Sequence, residues 1–139
     1  MNKLTPEHLL ILNRKLGGDG RLRRSVDIDV LKDIAAKPYE KTKELLYKHK
    51  RVVDKAAVLG YMIVARSPFV ARNNETAVLA MLTLLELNGY RVIDYVNDME
   101  VLLNSLVQQK QEEEQLNEIR QWIVAHLAKD DYKISYLNE

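Results

Sequence analysis

A chain of 139 residues, 47% hydrophobic and 29% charged, is long enough to enclose one core and too short for two ordinary domains, so a single domain over 1–139 is expected. The absence of cysteine excludes a disulfide framework and a thiolate nucleophile, and a net charge of +1 excludes a dominant long-range attraction to polyanions. The longest apolar run, 58–64, contains Gly60 and Tyr61 and falls far short of the roughly 20 residues of a membrane-crossing helix; Pro6, Glu7 and His8 interrupt any basic-then-apolar leader, so a cytoplasmic protein with no membrane partner is expected.

In chain order the periodicity is helical almost throughout. Thr5 suits the N-cap of a first helix with Pro6 at its first position; Leu9, Leu12 and Leu16 form its apolar face, and Gly17 and Gly18 end it. A second short helix fits 27–36. From 41 to 66 the pattern suits either one long helix or a helix preceded by a mobile segment, with Val53, Ala57, Tyr61 and Val64 spaced to share a face. A further helix begins at Asn73 or Asn74, either of which can cap it, and carries core aliphatic residues from Val78 to Leu87. It closes at Asn88 and Gly89, where glycine readily turns left-handed.

Arg91, Val92 and Ile93 suit a short strand. Met99, Leu102, Leu103 and Leu106 mark one amphipathic helix, and Leu116, Ile119, Ile123 and Leu127 mark the last, with the polar run 108–115 between them. No internal repeat is present at solenoid periods. The expected fold class is all-α: about six helices with at most a short strand or hairpin, and 67–74 as an exposed loop between two core helices.

Chemistry-bearing residues are sparse. His8, His49 and His126 lack metal-ligand spacing, so hydrogen-bonding or solvent-facing roles are expected and no metal site is assigned. Trp122 on an amphipathic helix suits packing more than partner anchoring. The basic segments Arg21, Arg23, Arg24 and Lys41, Lys43, Lys48, Lys50, Arg51 are interleaved with Glu40, Glu44 and Asp54 and carry no base-reading motif. They read as solvated surface, and any nucleic-acid association should be weak and salt-sensitive.

The stretch Ser67-Pro68-Phe69-Val70-Ala71-Arg72-Asn73-Asn74-Glu75-Thr76-Ala77 resembles the active-site motif of the Fic/Doc family, His-Pro-Phe-x-Asp-Gly-Asn-Gly/Lys-Arg-Thr-Ala. Pro68, Phe69, Asn73, Thr76 and Ala77 are retained. Ser67 stands at the position of the base, Ala71 at that of the acid, Arg72 and Asn74 at glycine positions, and Glu75 at that of the phosphate-binding arginine. Further blocks are similar to Doc-type (death-on-curing) members. Gly17 to Arg23 and Asp29 to Pro38 resemble their opening, Lys55 to Ala65 the helix feeding the motif, and Leu84 to Tyr90 the segment after it. The resemblance spans about the first two thirds of the chain and implies a Fic/Doc-like helical bundle.

In that family the histidine deprotonates a target hydroxyl, the acid holds magnesium, and glycines, helix amino terminus and arginine receive nucleotide phosphates; Doc-type members transfer phosphate instead of a nucleotidyl group. General-base assistance contributes about 10²–10⁴-fold in rate, which an unactivated Ser67 does not supply. Ala71 offers no oxygen ligand to a hard cation, and the Arg72 side chain crowds a glycine position. At Glu75 a phosphate attraction of roughly 4 kcal/mol at about 4 Å becomes a repulsion of similar size. Glu75 also has a plainer role, since an acid in a first helical turn complements the dipole by about 0.3–1 kcal/mol. Asn73 as a cap and Ser67 as a polar loop residue are likewise simpler than binding or nucleophilic roles.

The resemblance therefore implies a degenerate Doc-like protein without transferase chemistry or catalytic residues, acting on a protein partner in a toxin–antitoxin or phage-related setting. No cofactor is expected. The family's flap precedes the feeding helix, which makes 39–51 the candidate partner surface. The alternative is a divergent nucleotide-dependent transferase that uses ATP and magnesium, with Arg66 or Arg72 on phosphate and an unidentified base. The Ser/Thr-x-x-x-Glu-Gly/Asn inhibitory helix of some Fic proteins does not occur in the chain.

Overall fold

In the computed structural model, residues 2–93, 102 and 111–128 are described. Helix α1 (Pro6–Lys15) starts at a reciprocal cap: His8 N donates to Thr5 Oγ1 at 3.2 Å and Thr5 N donates to His8 Nδ1 at 3.0 Å. Its Leu9 and Leu12 are buried, and it ends in a left-handed Gly17 at φ +92°. Asp27 Oδ1 caps α2 (Ile28–Ala36) by accepting from Asp29 N at 3.0 Å, and α2 runs into a 3₁₀ turn, Lys37–Tyr39. Helices α3 (Val52–Arg66), α4 (Asn73–Leu87) and α5 (Glu112–Ala125) follow.

These five helices confirm the all-α expectation, and among the described residues no strand forms. Helix α3 is buried almost all round, from Val52 and Val53 to Met62 and Ile63, because α4, α5, α2 and the 3₁₀ turn all pack on it. Helix α4 packs on it most extensively. Gly60 permits that approach: a Cβ there would fall 2.3 Å from Met81 Sδ. Among the described residues, no helix is long and apolar enough to cross a membrane.

Several expectations need correction, and the choice left open at 41–66 is decided for the second alternative: the segment before α3 is not helical. It folds back as a hairpin-like turn over 40–48, closed by Thr42 N to Leu46 O at 2.7 Å and Lys48 N to Glu40 O at 2.9 Å, with Leu45 left-handed at φ +62°. Its Tyr47 ring lies 4.9 Å under the Nζ of Lys55, a buried α3 residue that also donates to Lys50 O at 2.7 Å. The strand anticipated at 91–93 reduces to an isolated pairing of Val92 with Leu127. Leu87 ends the α4 aliphatic run exposed rather than in the core. The loop 67–74 is only partly exposed, since Pro68 and Phe69 are buried and Asn73 already belongs to α4.

Of the anticipated fifth helix, Leu102 is helical and buried, while Met99, Leu103 and Leu106 lie outside the described residues. Leu116, Ile119, Ile123 and Leu127 are buried as expected, and Glu112, Glu113 and Glu114 complement the amino terminus of α5.

Asp54, in the first turn of α3, joins the two halves of the fold. It takes the Arg51 guanidinium at 3.1 and 3.0 Å and faces Arg120 Nε of α5 at 3.1 Å. Burial alone would raise the Asp54 pKa, but the hydrogen bonds and charge of Arg51 and the charge of Arg120 hold it below its ordinary value of 3.8. With the folded pKa below the unfolded one, this stabilisation is complete above the unfolded value and is lost as pH falls through the folded one. Asp54→Asn should therefore be less stable than the parent at about pH 7, with the gap narrowing once pH drops below about 4. Urea midpoints across that range measure it, and a pH-independent gap would exclude the ionised carboxylate as its source.

Candidate functional site

The sequence motif forms the connection from α3 to α4, and its backbone is bonded at nearly every residue. Ser67 ends α3 in a left-handed conformation (φ 41°, ψ 60°), with its N–H on Ile63 O at 2.8 Å and its Oγ donating to Val64 O at 2.8 Å. That hydroxyl is committed to the helix end, where it satisfies a terminal carbonyl. Arg23 completes the cap: its Nε donates to Ser67 O and its Nη2 to Arg66 O at 3.0 Å.

The glycine turn and the motif, two separate blocks in the sequence, are antiparallel neighbours. Arg23 N donates to Pro68 O at 2.8 Å and Val70 N donates to Arg21 O at 2.9 Å, with Leu22 opposite Phe69. Phe69 is fully buried beneath them. Asn73 does not cap α4, contrary to expectation. Its Oδ1 accepts from Phe69 N at 3.0 Å and its Nδ2 donates to Phe69 O at 2.9 Å, so it clamps the loop backbone instead.

A buried amide missed in the sequence ties these parts together. Asn13 of α1 donates through Nδ2 to Ala71 O at 2.8 Å and to Thr76 Oγ1 at 3.0 Å, and its Oδ1 accepts from Gly20 N at 3.0 Å. Thr76 Oγ1 donates onward to Arg72 O at 2.6 Å. The available signal was an amide beside Leu12 and four residues after Leu9, on the buried stripe of α1.

The N-cap of α4 is Arg72, left-handed at φ 66° and ψ 31°. Its guanidinium folds back onto Glu75 Oε2 at 3.1 Å, so the two side chains form an ion pair across the first turn of α4. The pair is half-exposed and weak in itself. Ala71 is exposed and Asn74 half-buried. Arg66 is held by Asp33 at 3.1 Å.

None of the three histidines stands as a base beside Ser67. His8 closes the α1 cap, and His126 stacks on Trp122 with ring centroids 4.1 Å apart. His49 is half-buried beside the hairpin, its pKa lowered by burial first and then by Lys48 and Arg120 against Asp54 and Glu40. Among the described residues no group of three His, Cys, Asp or Glu side chains is placed to hold a metal ion. Comparison with protein-family models, curated proteins and solved structures finds no match.

Two substitution sets test this geometry. Asn13→Ala strands Gly20 N–H and Ala71 O and should lower stability by about 2–3 kcal/mol. Asn13→Asp, equal in shape but without the Nδ2 donor, should be no milder; a near-parental urea midpoint for Asp would show that the amide donor is dispensable. At position 72, Gly should exceed Ala in stability by about 1 kcal/mol, because both lack the guanidinium and only Ala retains the left-handed penalty. Equal melting temperatures would refute a left-handed Arg72.

Proposed function

We propose that the chain is a degenerate Doc-like protein that has lost nucleotide-dependent transferase chemistry and acts by binding another protein, in a cytoplasmic toxin–antitoxin or phage-related setting. The observation that carries this reading is the Arg72–Glu75 pair. It stands on a left-handed residue at the motif's glycine position, and its carboxylate occupies the first turn of α4, where the family arginine receives phosphate. A phosphate entering there meets the Glu75 charge and displaces its Arg72 partner, so both residues oppose binding. The commitment of Ser67 Oγ to Val64 O supports the same conclusion for the base position.

The binding role rests on the hairpin at 40–48, which occupies the flap position implied by the resemblance. Its tip presents Leu45 at 76% exposure, Leu46 at 59% and Tyr47 at 41%, three consecutive large apolar side chains in solvent. Such a run on a bonded turn suits a protein partner, which buries those side chains without first ordering the segment.

Labelled ATP with magnesium should give no saturable binding and no transfer to candidate proteins. The variant combining Ser67→His, Ala71→Asp, Arg72→Gly, Asn74→Gly and Glu75→Arg should acquire nucleotide binding on the retained Pro68, Phe69, Asn73 and Thr76. Transfer by the parent chain, abolished by Arg72→Ala, would overturn the loss of activity and establish the divergent-transferase alternative.

A further inference from the structure

Asn88 closes helix α4, and it is the one asparagine in the chain that a glycine follows. In such a pair no Cβ shields the next backbone nitrogen, and the backbone there turns freely. The nitrogen of Gly89 is therefore a nucleophile within reach of the Asn88 side-chain carbonyl once the local backbone rotates. Asn88 is only half-buried and Gly89 is exposed, so water has access to both.

The fold holds the reacting atoms apart. At φ −110° and ψ 19° the Gly89 nitrogen lies near the Asn88 backbone nitrogen rather than beside the side chain, and it donates to Glu86 O at 3.1 Å. Ring closure requires rotation about the Asn88 Cα–C bond and loss of that cap. The amide that would leave is clamped as well. Asn88 Nδ2 donates to Leu84 O at 2.8 Å and to Asn2 O at 2.9 Å, and Asn88 Oδ1 accepts from Asn2 N at 3.0 Å. Asn2 Nδ2 adds a bond to Leu87 O at 2.7 Å. The backbone of residue 2 thus grips both ends of an amide that stands 86 positions later in the chain.

We propose that Asn88 is a site of intramolecular deamidation whose rate is gated by its clamp on residue 2. When the clamp and the helix end open together, the Gly89 nitrogen bonds to Asn88 Cγ and the side-chain nitrogen departs as ammonia, taking the proton that Gly89 loses. Water then opens the cyclic imide to aspartate or isoaspartate, and no other reactant is needed. The product places a carboxylate at the carboxyl end of α4, where the helix dipole disfavours negative charge. It also lacks a donor for Asn2 O and Leu84 O. Conversion therefore releases the segment that leads through the buried Leu4 into the Thr5 cap of α1, and water does not reverse it.

The test is mass spectrometry of the peptide spanning 88–89 after timed incubation of the full chain in mildly alkaline buffer, with the aspartate and isoaspartate forms separated by chromatography. The folded parent should convert at least about tenfold more slowly than the same chain held unfolded in urea, because several hydrogen bonds must open first. Asn2→Pro removes the N–H that Asn88 Oδ1 accepts and the donor to Leu87 O, at an exposed position, and should convert faster than the parent. Its rate should stay flat in low urea, as a local opening does; a steep rise would assign the reaction to global unfolding and overturn the gate. Asn88→Asp, standing for the product, should lose the nuclear Overhauser contacts between residues 2 and 88 that the parent shows. Conversion of the parent at the unfolded rate, an Asn2→Pro rate equal to the parent's, an Asn88→Asp protein that keeps those contacts, or no conversion at Asn88 in urea would each overturn the proposal.

Discussion

The buried side-chain amide of Asn13 is the constraint on which the arrangement around the α3–α4 connection depends. Three parts of the chain that share no helix, the glycine turn at Gly20, the loop at Ala71 and the start of α4 at Thr76, each use one of its hydrogen bonds. A buried polar group of this kind is costly unless satisfied, so its partners are held to one geometry. Gly18 passes so close that a Cβ would stand 2.3 Å from Asn13 Oδ1, which leaves little room for another side chain at that point. The turn is thereby pressed against the motif, and Arg21, Leu22 and Arg23 pair with Val70, Phe69 and Pro68 as a consequence.

Helix α3 supplies the platform for that arrangement. Because it is covered by α2, α4 and α5, both its ends become fixed points: Arg23 and Ser67 close the carboxyl end, and Asp54 with two arginines holds the amino end. Lys55, buried in its first turns, carries the same rigidity to the hairpin through Lys50 O and the Tyr47 ring. An exposed Leu45 and Leu46 are thus presented from an anchored base rather than from a loose tail.

The start of α4 carries its own charge balance. Arg72 takes a backbone conformation that glycine adopts without penalty, and its side chain pairs with the acid three residues later. Together the two residues form a local ion pair within the first turn.

The helices and most of their ends were legible in the amino-acid order, since periodicity, Thr5, Pro6, Asp27 and Gly89 act through neighbours within a few residues. The same locality explains the failures. Asn73 has the composition of a cap, but the left-handed Arg72 turns its amide back onto Phe69; the stretch before α3 left helix and separate segment open, and it folds over so that Tyr47 meets the ammonium groups of Lys41 and Lys55. The sequence by itself determined the all-α class and the α3 and α4 core. Only the tertiary structure decided that the glycine turn braces the motif, that Asn13 joins them and that Arg120 meets Asp54, because each depends on pairing groups more than forty residues apart, whose separation no local period encodes.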